Sequence, residues 1–74
     1  MDWIELGGHY GRDYANQTDV RKDWDANKDF RVNEGGRYGA ATNREDLEAM
    51  KERGEISGVT IRYGKGLKVM DMKL

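Results

Sequence analysis

The sequence predicts an α+β domain: a small antiparallel or mixed sheet of about four strands with two helices packed on one face, in the order β-α-β-α-β-β. Three observations predict it. Two segments carry apolar residues at helical spacing behind a capping residue: Val20 and Trp24 after Asn16, and Leu47 and Met50 after Thr42. Near the end of the chain, Val59, Ile61 and Tyr63 alternate with Thr60 and Arg62, the period of a half-buried strand. Glycine clusters separate these segments, and with no proline and no low-complexity linker residues 1–74 read as one domain.

Taken in order, Trp3 to Leu6 reads as a short strand ended by Gly7 and Gly8, and residues 9–15 as a loop. A first helix is expected over residues 17–26, with Asn16 as its cap and Asp19 near the positive end of the helix dipole. Asn27 suits a left-handed stop, and residues 29–32 look extended, with Phe30 and Val32 on one side. Gly35, Gly36 and Gly39 read as a break. The second helix starts from a Thr42–Glu45 capping box and stops at Gly54. Val59 to Met72 forms a hairpin that turns at Gly64-Lys65-Gly66. Its return strand has Leu67 and Val69 on one side and Met70 and Met72 on the other, the pattern of a central strand or a covered edge.

The apolar residues, from Trp3, Ile4 and Leu6 to Val69, Met70 and Met72, suffice for one thin core and leave little for a deep cavity. A homodimer would supplement such a core. Without cysteine there is no disulfide framework, which suits a reducing cytoplasm. No apolar run reaches the roughly 18 residues of a membrane span, and the start lacks a basic-then-apolar leader. The net charge of −1 argues against a strongly basic nucleic-acid binder.

One segment imitates a calcium loop. From Asp23 to Glu34, oxygen side chains fall at loop positions one, three and five, with a glutamate at twelve. Lys28 stands where that loop needs glycine, and Arg31 brings a cation to position nine. Starting from Asp25 instead, Phe30 takes the glycine position and Gly36 replaces the glutamate. A helix end running into a strand is the better reading, and no metal or cofactor is expected. Gly7-Gly8-His9-Tyr10-Gly11 lacks the rest of a dinucleotide fingerprint, and Gly64-Lys65 lacks the spacing of a phosphate loop, so both read as turns. Gly8 and Gly11 bracket a unit like the clamp of KH domains without that domain's helices. His9 is the only histidine, and no carboxylate pair stands out as an acid and a base, so enzymatic activity is not expected.

What recurs is arginine and tyrosine beside glycine: Tyr10-Gly11-Arg12-Asp13-Tyr14, Gly36-Arg37-Tyr38-Gly39 and Arg62-Tyr63-Gly64-Lys65. Both side chains bury much surface while making directed polar contacts, which favours them at binding hot spots, and both can stack on bases. Tyr10, Arg12, Tyr14, Arg37, Tyr38, Arg62, Tyr63 and Lys65 are therefore the candidate binding surface, provided that these corners meet. The bland alternative is that the tyrosines cap a thin core while the glycines turn the chain.

Tyr10-Gly11-Arg12-Asp13-Tyr14, Val20, Lys22-Asp23-Trp24 and Lys28-Asp29-Phe30 resemble a pattern in small uncharacterised proteins of tailed phages and prophages. Asn43-Arg44-Glu45-Asp46-Leu47 and Val59-Thr60-Ile61-Arg62-Tyr63 are similar to the second half of those proteins. The family has no assigned activity, so the resemblance implies context only: expression in a bacterial host cytoplasm. The leading expectation is a non-enzymatic accessory protein that binds a host protein or complex, an anti-CRISPR-like inhibitor of host defence being one form of it. The rivals are a single-stranded nucleic-acid-binding module and a small virion or assembly component.

Overall fold

The structure is a computed structural model. It describes residues 2–9, 14–34, 37–64 and 68–74, and at positions 2, 8, 9, 34, 37 and 38 the backbone alone. Strand β1 (Asp2–His9) leads to helix α1 (Gln17–Asp25), strands β2 (Phe30–Glu34) and β3 (Arg37–Thr42), helix α2 (Arg44–Glu52) and strands β4 (Ile56–Tyr63) and β5 (Lys68–Met72). The five strands form one mixed sheet in the order β3-β2-β1-β4-β5. Central β1 runs parallel to β4, and the other neighbours pair antiparallel.

Local signals set the helices. The Asn16 side chain accepts from the Asp19 N–H at 2.9 Å, capping α1, and Val20 and Trp24 are both buried. Asn27 has φ +57°, the left-handed conformation expected at the helix stop. Gly54, at φ +77°, ends the turn after α2, a conformation that glycine adopts without steric cost.

Both helices cover the same face of the sheet. Register aligns Leu6 with Val32 and Ile61, Ile61 with Met70, and Val59 with Met72. These side chains form a single core with Phe30, with Val20 and Trp24 of α1, and with Leu47 of α2. Ring centroids of Tyr14 and Trp24 lie 5.8 and 6.0 Å from that of Phe30, within the range of favourable aromatic pairs. The α+β reading, with two helices on one face, therefore holds.

Several element boundaries differ from those read in the sequence. Gly7 and Gly8 lie within β1, where a register irregularity between Leu6 and His9 lets the strand pass through them. The break expected at Gly39 is β3, a fifth strand held by pairing with β2. Thr42 ends β3 opposite Phe30, and the cap of α2 is Asn43, whose side chain accepts from the Asp46 N–H at 3.0 Å. β4 begins at Ile56, three residues before the expected start. β5 is a sheet edge with Met72 buried and Val69 48% exposed. No helix among the described residues is long and apolar enough to cross a membrane.

Candidate functional site

Alternation along the strands sends every second side chain to the face opposite the helices. Ile4 and Leu6 point into the core, so Trp3 and Glu5 lie on the other side, where no described helix covers them. Gly58, Thr60 and Arg62 of β4 share that open face, and register sets Asp71 beside Thr60 and Val69 beside Arg62. On the other flank, Asn33 joins it through Glu5, with Arg31 two residues earlier in β2.

The open face has a polar centre. Glu5 Oε1 accepts from Arg62 Nε at 2.7 Å and from Asn33 Nδ2 at 3.1 Å, tying β1, β4 and β2 together across the sheet. Arg62 Nη2 lies 2.7 Å from the same oxygen, so the guanidinium is held against the sheet.

Beside this centre lies Trp3, 57% exposed although the sequence suggested a core position. It pairs with Gly58 in the parallel ladder. A Cβ built on Gly58 would fall 2.6–2.7 Å from indole atoms Cη2, Cζ2 and Cζ3. Near-equal distances to three adjacent ring atoms place that Cβ over the ring face, not at its edge. The indole therefore lies flat on the Gly58 backbone, one face seated and the rest open to solvent. Trp3 and Gly58 line a cleft of about 300 Å³ with Lys51, Ser57, Met72, Lys73 and Leu74. Lys51 Nζ donates to a main-chain oxygen of Leu74 at 3.2 Å.

Of the residues singled out from the sequence, Tyr14, Arg62 and Tyr63 have described side chains. Tyr14 is 3% exposed; its hydroxyl donates to Asp23 Oδ2 at 2.8 Å, and its carbonyl accepts from the Gly64 N–H at 2.7 Å. It is a core residue and offers no surface to a partner. Tyr63 is half-buried and packs against the core, its hydroxyl accepting from Gln17 Nε2 at 2.9 Å. Arg62 and Tyr63, adjacent in a strand, necessarily point to opposite faces, and Arg62 alone reaches the open one. Arg37 and Tyr38 belong to β3, with their side chains outside the described residues, as are Tyr10, Arg12 and Lys65 altogether. Among the described residues no group of three or more His, Cys, Asp or Glu side chains is placed to hold a metal ion. Asp23, the first position of the calcium-loop pattern, is buried within α1 and engaged by Tyr14.

Trp3 was missed because its size suggested burial. The signal that finds it is alternation: if Ile4 and Leu6 face the core, Trp3 cannot. No family model matches the chain, and neither a curated protein nor a solved structure matches it.

Proposed function

We propose that the chain is a non-enzymatic phage or prophage accessory protein that binds a host protein through the open face of its sheet. The observation that carries this reading is Trp3, 57% exposed and seated flat on Gly58. An aromatic ring held in place loses little conformational freedom on binding, and tryptophan and arginine dominate the hot spots of protein interfaces. Around it the face mixes signs, with Arg31 and Arg62 against Glu5 and Asp71, and such a mosaic complements a protein surface better than a uniform polyanion.

An affinity pull-down from bacterial lysate tests the reading, with wild-type, Trp3→Ala and Tyr38→Ala proteins as bait. A discrete partner is retained by the wild type and lost by Trp3→Ala. Recovery of nothing above background by the wild type counts against the proposal. The same exposed indole supports a second reading, a single-stranded nucleic-acid module in which a base stacks on Trp3. That reading requires oligonucleotide binding that weakens steeply with salt, and a flat salt response removes it.

A further inference from the structure

We propose that the cleft beside Trp3 takes a short acidic segment of a protein partner, in which an aspartate or glutamate adjoins an apolar or aromatic side chain. This rests on the open face being a protein-binding surface and names the chemistry of what it binds.

The cleft combines two kinds of contact. Trp3 and Met72 supply an apolar wall, while Lys51, Lys73 and the Ser57 hydroxyl supply donors, and among the described residues no Asp or Glu side chain lines it. Neither lysine is paired with an Asp or Glu side chain in the ion pairs seen among the described residues, such as Arg44–Glu48, Arg53–Glu55 and Arg62–Glu5. Lys51 donates to a main-chain oxygen of Leu74, a carboxylate oxygen in the 74-residue chain; this contact holds the ammonium at the cleft and leaves it two further donor hydrogens. A volume of about 300 Å³ is at the lower end for ligand pockets, suited to one or two side chains and not to a large cofactor.

The surroundings limit the length of the anion. The hollow on the other side of Lys51 carries Glu48 and Glu52. Asp71 of β5 lies two residues before Lys73, and Glu5 follows Trp3 at the next outward position of β1. Carboxylates therefore flank the two lysines in both directions. A continuous phosphate backbone would run into them, whereas one or two carboxylates on a peptide would not. This favours an acidic protein segment over nucleic acid.

The experiment is a selection of random displayed peptides, each about a dozen residues long, on three full-length targets: wild type, Trp3→Ala and the double variant Lys51→Glu/Lys73→Glu. Circular dichroism and thermal midpoints verify that the variants stay folded, as expected for exposed positions. Peptides enriched on the wild type should carry Asp or Glu within a few positions of an apolar or aromatic residue. Their affinity, measured by fluorescence polarisation, should fall about tenfold or more on the lysine-reversed target. It should also fall on Trp3→Ala, and a peptide whose acids are replaced by lysine should not bind. Peptides lost on Trp3→Ala but lacking acidic bias would overturn this inference and leave the open-face reading intact. Failure to enrich any peptide, binding indifferent to the lysine reversal, or displacement of the peptide by oligothymidylate at lower concentration would each overturn it as well.

Discussion

Tyr14 donates a hydrogen bond to Asp23 across 2.8 Å of protein interior, joining the segment before α1 to the buried side of that helix. Asp23 is only 7% exposed, so the carboxylate depends on this donor. Tyr14→Phe removes the hydroxyl and strands the acceptor, and the expected loss of stability is about 1–3 kcal/mol. In an Asp23→Ala background the same change should cost much less, because no stranded acceptor remains. Urea unfolding of the four proteins measures the difference, and equal costs in both backgrounds would contradict it.

Gly58 is where the seat of Trp3 can be tested. Its φ is not in the left-handed region, so a substitution meets the indole rather than a forbidden backbone. Gly58→Ala should push the ring off the sheet without unfolding the protein, since what must shift is the far end of one side chain. In a Trp3→Ala background the alanine meets no ring and should be neutral or stabilising, as glycine weakens strands. The cycle should give a coupling of about 0.5–1.5 kcal/mol, and additive effects would show that the ring does not rest there.

What was legible in the chain was what local chemistry decides. Asn16 caps α1, Val20 and Trp24 share its buried side, and Gly54 and Asn27 take positive φ, all from signals a few residues long. β3 was not legible, because Gly39-Ala40-Ala41 has neither apolar alternation nor strand propensity; β2 makes it a strand by pairing with it. That pairing also takes up Thr42 and passes the helix cap to Asn43. Of the arginine–tyrosine corners, the described side chains are those of Tyr14, Arg62 and Tyr63, and spacing alone could not place them. Adjacent residues cannot share a face of a strand, and Tyr14 has a buried acid to satisfy that no spacing rule reveals.

The Glu5–Arg62–Asn33 cluster should contribute little to stability despite its central position. Glu5 and Arg62 side chains are 33% and 36% exposed, so solvent screens the pair. Glu5→Ala should cost no more than about 1 kcal/mol, and the cost should shrink at high salt. Thermal melts at low and high sodium chloride test this. A loss well above that bound, insensitive to salt, would show that the cluster is effectively buried.

Asn27 links the two helices and provides the sharpest test of the fold. Its backbone ends α1 at φ +57°, while its side-chain oxygen accepts from the Glu45 N–H at 3.1 Å, in the first turn of α2. Two separate costs therefore follow its replacement. Asn27→Gly keeps the left-handed turn without strain and loses only the bond to α2, so it should destabilise by about 0.5–1.5 kcal/mol. Asn27→Ala loses that bond and also places a Cβ in the left-handed region, adding about 1 kcal/mol or more. Alanine must therefore be worse than glycine, the reverse of the order in a helix interior, where glycine is the poorer residue by about 1 kcal/mol. Chemical denaturation of the two variants reads the order directly. If Asn27→Gly proved the less stable, the left-handed turn would be refuted, and equal stability with wild type would remove the bond between Asn27 and Glu45.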